Sequence, residues 1–471
     1  MANPSRALAP IYTQLIHAAQ RWALRDGFDP ARAAQLRHQA ILMNHALYLD
    51  QIPAYRRFAQ QEGIEQLDDV EPIKRRLMVP DDLFKSYEQK WLDERDFKRM
   101  NGWLSDISSH RIEVDVANAA SVDVWIDRLA ASGIRLICSS GTSGTLSFIP
   151  RDADTVQLFA IASACYITPL LLHSLLGSPL QRWVTQAAAR WLAPHAFAGL
   201  IRKSGGMSGY DAVFLDFRGG RTGNQVLAQE LAPLARKHYF LYETDLSPST
   251  LRLITRGAKT DQDREVVLKL QELVVTQKEQ NYLRVIERIR QSTADGQRVF
   301  IFGTPHQYKE LCEIILEHGA AVALKPGSLV LFGGGWKSFS GQKIARDQLI
   351  ALMSQALHLP PERILEGYSM IEINAFMLRC EHGRFHIPPT IEPVILNEEL
   401  EPLCGDDLRG IFGFLDPLAL AYPGYIISGD QVHFVNGDCP CGLFGAAVTE
   451  IGRAAAREVK GCGGIMASVA A

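Results

Sequence analysis

The sequence predicts an α/β protein, and three observations carry that reading. From Ile134 onward, short apolar runs end in glycine-rich turns: IRLICSSGTSG, DAVFLDFRGG, RVFIFGTPH and SLVLFGGGWKS. Helical stretches such as Asp263 to Ser292 lie between them. Strands alternating with helices in this way build sheets whose ligands gather at the carboxyl ends of the strands. The third observation is composition: 471 residues, 47% hydrophobic and 21% charged, hold enough apolar material for a full core and exclude wholesale disorder. Such a length suits one large composite domain or a few smaller ones.

Taken in order, residues 1–130 read as a helical lead-in packed on the core. Apolar positions recur at helical spacing in Leu8, Ile11, Leu15 and Ala18, and again in Ala34, Leu36, Ile41 and Leu42. Residues 131–391 form the α/β core, residues 392–453 are shorter-segmented and turn-rich and read as a small β subdomain, and residues 454–471 are a truncated hinge and tail. The run from Thr155 to Gln181 is uncharged but contains Gln157, Pro169, His173, Gly177 and Pro179. A spanning helix needs about 20 predominantly apolar residues, so buried core helices are expected there and no membrane span. The opening residues mix charges through what would have to be the apolar part of a signal peptide, which points to a cytoplasmic protein. With 49 Lys+Arg against 52 Asp+Glu the net charge is −3, which argues against a nucleic-acid or anionic-membrane binder. Eight cysteines are too sparse for a disulfide scaffold and imply a reducing compartment, while the close pair Cys439 and Cys441 suggests a metal site.

Ser139-Ser140-Gly141-Thr142-Ser143-Gly144 follows the strand candidate Ile134 to Cys138. Hydroxyls and backbone N–H groups at a strand's end can cradle phosphate. No Gly-Lys-Ser/Thr follows, so this is not a Walker loop, and alone such a hexad is more often a plain polar turn. Here it resembles the phosphate-binding loop of the adenylate-forming, acyl-activating enzymes, and further motifs follow in that superfamily's order. Gly333-Gly334-Gly335 resembles the loop that packs on adenine. Tyr368-Ser369-Met370-Ile371-Glu372 resembles the motif whose tyrosine lies near adenine and whose glutamate helps hold Mg²⁺. Asp430, closing Tyr425-Ile426-Ile427-Ser428-Gly429-Asp430, resembles the aspartate that binds the ribose hydroxyls, and Gly452-Arg453 the hinge pair whose arginine also serves the ribose. Taken singly, Glu372 or Asp430 would more often be a solvated loop acid and Arg453 a surface charge.

Within that superfamily, Val79-Pro80-Asp81-Asp82-Leu83-Phe84-Lys85, the loop SSGTSGTLS and Gly334-Gly335-Trp336-Lys337 resemble the acyl-protein synthetases of bacterial fatty-acid reduction systems, with phenylacetate-CoA ligases as neighbouring relatives. The fold this implies is the N-terminal domain of adenylate-forming enzymes, two α/β subdomains plus a small β subdomain, without the C-terminal lid domain. The implied activity is ATP-dependent activation of a fatty or aryl carboxylic acid as acyl-adenylate, then transfer to a thiol: an own cysteine, an acyl carrier protein or CoA. An acyl reductase is a further partner the resemblance implies. Departures from the pattern are Ser147 where many relatives carry lysine, with Arg151 as the nearby substitute charge, and Ile371 in place of threonine. The hinge aspartate is missing after Arg453, and the chain ends at Ala471 without room for the lid and its lysine. Two rivals therefore stay open: a CoA ligase or adenylating enzyme for an aryl acid in secondary metabolism, and a non-catalytic nucleotide-binding or partner protein.

Cys380, Glu381, His382 and His386 precede Asp438-Cys439-Pro440-Cys441 by a long stretch of chain. Together they offer three thiols and two imidazoles, and a closed tetrahedron of four such ligands is a structural Zn²⁺ site. A similar set in the phenylacetate-CoA ligases favours Cys380, His386, Cys439 and Cys441, with His382 as the substitute ligand; four unrelated turn residues are the alternative. Cys138, Cys165 and Cys312 lie in apolar runs and read as small core residues. His306, just past a strand candidate, would line the acyl pocket or contact the substrate carboxylate, or is a structural histidine. Cys462, flanked by Lys460, Gly461 and Gly463, sits in a glycine-rich tail beside a cation, conditions that expose a thiol and favour its thiolate. The acyl-protein synthetases carry an acyl-accepting cysteine near the C-terminus, which this one resembles; an inert tail thiol is the alternative.

Overall fold

The computed structural model describes residues 9–139, 145–174, 187–188, 192–203, 207–258, 260–319, 321–336 and 342–454. The chain forms two compact units, one of residues 1–137, 147–198 and 370–471, the other of residues 138–146 and 199–369.

The first unit begins with helices α1 (Pro10–Leu24), α2 (Pro30–Gln51), α3 (Pro53–Gln61) and α4 (Glu71–Arg76). Proline at the first turn of each is tolerated because that N–H has no helical partner, and the Asp29 carboxylate caps α2 by accepting from Arg32 N at 2.9 Å. These helices are locked onto the strands by buried tyrosines. Tyr48 and Tyr55 pack their rings on Tyr425, with centroids 5.2 and 6.0 Å apart, and Tyr425 OH donates to Ile41 O at 2.6 Å. Asn44 Nδ2 reaches Pro417 O at 2.8 Å.

Those strands form a six-stranded sheet. Its antiparallel path runs β10 (Phe385–His386), β14 (Phe444–Arg453), β13 (Tyr425–Asp438), β12 (Asp407–Leu415), β11 (Glu392–Leu396), and β1 (Val79–Pro80) joins β13 in parallel. Helix α8 (Ala153–Ser174), which follows α5 (Gln89–Asp93), α6 (Phe97–Ile107) and α7 (Val122–Ala131) along the chain, packs against α1. Its stretch Ala153–Leu171 is long and apolar enough to cross a membrane by length and composition. The expected core helices thus begin as one helix with Pro169 inside it, and residues 175–186 lie outside the described set.

Glu392 opens β11 almost fully buried, and its carboxylate meets Arg37 Nη2 at 2.5 Å, Lys74 Nζ at 2.7 Å and His38 Nε2 at 3.5 Å. Burial alone would raise its pKa, but Arg37, then His38 and Lys74, outweigh that and hold it well below the ordinary carboxylate range. A depressed pKa means stability that is present above the unfolded value of 4.5 and lost as the pH falls through the folded one. Glu392→Gln, which strands two cations, should cost about 3 kcal/mol at neutral pH. Denaturation followed from neutral pH to below pH 4.5 checks this: the variant should lose less stability on acidification than the wild type.

The second unit is built on five parallel strands in the order β5 (Ala235–Leu246), β4 (Met207–Gly220), β6 (Arg298–Gly303), β7 (Leu329–Gly333), β8 (Ile364–Tyr368). The helices Lys278–Ala294, Pro305–Glu317 and Arg346–Leu357 bury Tyr282, Ile286, Leu311, Ile315, Leu349 and Met353 in a core shared with the strand residues Val213, Leu215, Ile301 and Val330. From β4 the chain steps to β5 on one side and then to β6, β7 and β8 on the other, so the direction of winding reverses between β4 and β6. A crevice opens at such a reversal, outside the carboxyl ends of the strands.

Candidate functional site

In the second unit, three of the sequence motifs stand at the carboxyl edge of one parallel sheet. Gly333 ends β7, and Gly334 follows with φ +79° in a turn that favours glycine. A side chain on Gly333 would lie 3.0 Å from Gly367 O, so a larger residue there would crowd that carbonyl. Tyr368 ends β8, with Ser369 next. His306 lies in the first turn of the helix Pro305–Glu317, directly after β6 and beside the winding reversal. Thr304 caps that helix, its N–H donating to Gln307 Oε1 at 2.8 Å, and its hydroxyl lies 3.0 Å from His306 Nδ1. Burial lowers the His306 pKa, with Glu310 opposing, so the ring is neutral at pH 7.

Across the reversal, β4 carries a group that sequence reading missed. Phe214 pairs with Phe302, a side chain on Gly303 would touch Leu215, and Asp216 follows Leu215 in the chain. Burial pushes the Asp216 carboxyl up to about 6, against hydrogen bonds from Phe217 N and Gln225. Its only signal in the sequence was an acid closing the apolar run Ala212 to Leu215. Of the glycine-rich loop, Ser139 ends β2 (Arg135–Ser139), while Ser140, Gly141, Thr142, Ser143 and Gly144 lie outside the described residues.

In the first unit, Glu372 is only 8% exposed and the backbone around it is fixed from every side. Arg151, at the end of β3 (Ser147–Arg151), donates from Nη2 to Ile371 O at 3.1 Å and Ile373 O at 3.4 Å. Tyr422 OH donates to Glu372 O at 3.0 Å. Asn374 donates its backbone N–H and its Nδ2 to Asp416 Oδ2 at 2.6 and 2.9 Å, and Asp416 Oδ1 accepts from Leu418 N at 2.8 Å. The phosphate loop for which Arg151 is the expected substitute charge, residues 140–144, lies outside the described set. Arg151 is 5% exposed, its Nη2 serves both carbonyls, and its charge lies 5.4 Å from the Phe159 ring centre. Arg151, Asn374 and Asp416 could not be found by motif, because a buried polar network has no fixed sequence spacing.

Asp430 and Arg453 face each other directly across β13 and β14, with Nε 3.8 Å from Oδ1. Ser428 Oγ donates to Phe412 O at 2.6 Å and accepts from Asp430 N at 3.2 Å, which fixes the turn of chain leading into Asp430.

The third group is a sulfur and imidazole cluster. One ligand atom each from Cys380, His386, Cys439 and Cys441 lies within 4.8 Å of all the others. Two turns of the same construction deliver them. In one, Cys380 N donates to Arg384 O and Gly383 N to Cys380 O, each at 2.9 Å; in the other, Cys439 N donates to Leu443 O at 3.0 Å and Gly442 N to Cys439 O at 2.8 Å. Gly383 and Gly442 hold equivalent places, with φ of +80° and +87°. His386 arrives through the pairing of β10 with β14 and points Nε2 at Cys441 Sγ, 3.3 Å away. The hydrogen bond from Cys441, helped by His386, pulls the Cys380 thiol down to about 3, and the same bond raises Cys441. Three sulfurs and one imidazole nitrogen, largely buried and mutually close, fit the tetrahedral donor set of Zn²⁺. His382 is not among them; it is exposed and lies 3.8 Å from Glu381.

Cys138, Cys165 and Cys312 are buried, as expected of core residues, and burial pushes the Cys165 thiol up to about 12. Cys462 lies outside the described residues.

Residues 276–470 match the family described as acyl-protein synthetase, LuxE. The long-chain-fatty-acid–luciferin-component ligase of Vibrio harveyi is 27% identical over 181 residues, 38% of this chain and 46% of that protein. Its counterpart in Aliivibrio fischeri is 27% identical over 186 residues, 39% of this chain and 48% of the relative. The chain thus spans about half the length of the curated relatives it matches. Among solved structures, 2-hydroxyisobutyryl-CoA ligase, in complex with 2-HIB-AMP and CoA, superposes with a TM-score of 0.52 at 14% identity, covering 91% of this chain and 70% of that one. Over residues 276–470 the chain is similar in sequence to the LuxE acyl-protein synthetases, and its fold is similar to that of 2-hydroxyisobutyryl-CoA ligase.

Proposed function

We propose that this protein activates a carboxylic acid with ATP as an acyl-adenylate and passes the acyl group to a thiol, and that the acid is a fatty acid. The observation that carries this reading is the facing pair Asp430 and Arg453, in the part of the chain matched by the LuxE family. The curated relatives' own name, long-chain-fatty-acid–luciferin-component ligase, supports the choice of acid.

In this reading the carboxylate oxygen attacks the α-phosphorus in line, forming the acyl–phosphate bond as the bond to pyrophosphate breaks. Positioning and charge neutralisation are what the protein supplies. Ser139 to Gly144 offer hydroxyls and N–H groups to the phosphates, Gly333 to Gly335 and Tyr368-Ser369 flank the adenine, and Asp430 with Arg453 holds the ribose. Glu372 offers the single carboxylate that a nucleotide-borne Mg²⁺ typically takes from protein, and the ion would supply charge neutralisation at the phosphates. His306, neutral at the winding reversal, can donate one hydrogen bond to the acid substrate. Cys380, His386, Cys439 and Cys441 hold a structural Zn²⁺. In the second step Cys462 attacks the acyl carbon as thiolate and AMP leaves, giving a thioester that a carrier protein, CoA or an acyl reductase can draw on.

Exchange of labelled pyrophosphate into ATP, screened over fatty, aryl and amino acids, tests the first step: long-chain acids should drive it, and exchange with none of them overturns the reading. Labelled acid plus ATP should also mark the protein through a hydroxylamine-sensitive bond. Cys462→Ser should abolish that mark while exchange continues. A mark that persists in the variant, or CoA thioester formed with no mark at all, removes Cys462 from the mechanism.

A further inference from the structure

The run Val79-Pro80-Asp81-Asp82-Leu83-Phe84-Lys85 has no part in the activity described so far, yet the fold carries it to the ribose motif. Val79 and Pro80 pair in parallel with Ile426 and Ile427. That register leads β13 onward to Ser428, Gly429 and Asp430, while the other chain turns into the short helix Asp81–Lys85. Asp81 is thereby brought over Gly429. A methyl group placed on Gly429 would lie 3.1 Å from Arg453 Nη1 and 3.7 Å from Asp81 Oδ2, so the missing side chain leaves a small hollow walled by a guanidinium and a carboxylate.

Arg453 therefore has a carboxylate on each hand: Asp430, 3.8 Å from its Nε, and Asp81 across the hollow. The charged groups facing Asp81 are Lys85 and Asp82 on its own segment, Arg453 on β14 and Asp430 on β13. Burial raises its pKa, with Lys85 and Arg453 opposing and Asp82 and Asp430 adding to the rise. Among the described residues the Asp81 carboxylate makes no hydrogen bond. A part-buried acceptor that no donor among the described residues satisfies is suited to a donor brought by a ligand. A ribose presents two adjacent hydroxyls, and two carboxylates bridged by one arginine can accept one from each while the arginine moderates their repulsion.

Resting on the reading that Asp430 binds the ribose, we propose that Asp81 is the second carboxylate of the ribose site and accepts one of the two ribose hydroxyls. The Val79–Lys85 run then has a direct role, delivering a nucleotide ligand through parallel pairing with β13.

The test is direct binding of ATP, 2′-deoxy-ATP and 3′-deoxy-ATP to the full-length protein with Mg²⁺, by calorimetry, in the wild type and in Asp81→Ala, Asp81→Asn and Asp430→Ala. A hydrogen bond to a charged acceptor corresponds to roughly a tenfold or larger change in affinity. Asp81→Ala should weaken ATP about tenfold and leave one deoxy analogue binding as well as ATP, since the hydroxyl it lacks has lost its partner. Asp81→Asn keeps the volume and serves if the alanine variant does not fold; it should shift discrimination at the same analogue. If Asp81 variants weaken all three nucleotides equally, Asp81 merely steadies Arg453 and the hydroxyl contact is overturned. If Asp430→Ala erases discrimination and the Asp81 variants do not, the proposal falls while the ribose site stands. If Asp430→Ala changes nothing, the ribose reading itself fails, and this proposal with it.

Discussion

Purified protein should carry about one Zn²⁺ per chain by elemental analysis, and Cys439→Ser should lose both the metal and much of the protein's stability. The size of the effect follows from what the cluster joins. Cys380 and Cys439 sit in separate turns, 3.8 Å apart at sulfur, and His386 sits on a strand of only two residues. Without metal, the described contacts between the sulfurs are weak thiol interactions. The neighbourhood depends on the turns as well: Arg25 Nε donates to Cys441 O at 2.9 Å and Trp22 Nε1 to Phe444 O at 2.8 Å, tying α1 to the same hairpin. A metal that crosslinks both turns therefore also fixes the seat of the first helix. Structural Zn²⁺ binding is worth about 10–16 kcal/mol in small zinc domains, and even a fraction of that exceeds the whole stability of many proteins. Chelation should lower the melting temperature of the wild type, and Cys404→Ser, at an exposed thiol outside the cluster, should bind metal normally. A metal-free wild type that is fully stable would end the claim.

How far the sequence foretold this depends on whether a feature has local spacing. The run SLVLFGGG reappears as the strand Leu329–Gly333, and RVFIFG as Arg298–Gly303, because an apolar run stopped by glycine carries its own ends. The helical expectation for Asp263 to Ser292 became two α-helices with a π turn at Glu272–Thr276 between them, a change of hydrogen-bonding pattern that periodicity does not register. At the candidate site, Asp430 and Arg453 were legible as motifs, and their facing across two strands fits roles assigned to them jointly. The metal ligands were legible as residue types, and the resemblance already favoured His386 over His382; the pairing of β10 with β14 is what brings His386 to the other three. The hydrogen bonds of Arg151 were not legible, because sequence proximity to a loop says nothing of where a side chain turns. Its target, the carbonyls of Ile371 and Ile373, lies far along the chain, as does the partnership of Asn374 with Asp416.

That buried network also sets the scale of the largest catalytic loss expected. Glu372→Gln should reduce acid-dependent pyrophosphate exchange about 10²–10³-fold, the usual cost of removing one preorganised electrostatic group, with little change in melting temperature. The small stability cost follows from the geometry. The hydrogen bonds that fix this segment run to backbone carbonyls and to Asn374, none of which the substitution touches. Exchange should fall because the carboxamide lacks the negative charge that would hold Mg²⁺, the ion that would supply charge neutralisation at the phosphates. Arg151→Met makes the contrasting case. It leaves the Glu372 carboxylate in place but frees the carbonyls on either side of it, so both exchange and thermal stability should drop, and Arg151→Lys, able to keep one of the two bonds, should restore part of each. Measuring exchange and thermal unfolding on all three variants separates the roles. If Glu372→Gln exchanges at nearly the wild-type rate, Glu372 is not the charge the adenylation step uses; if Arg151→Met loses stability alone, the network is scaffolding that does not set the position of Glu372.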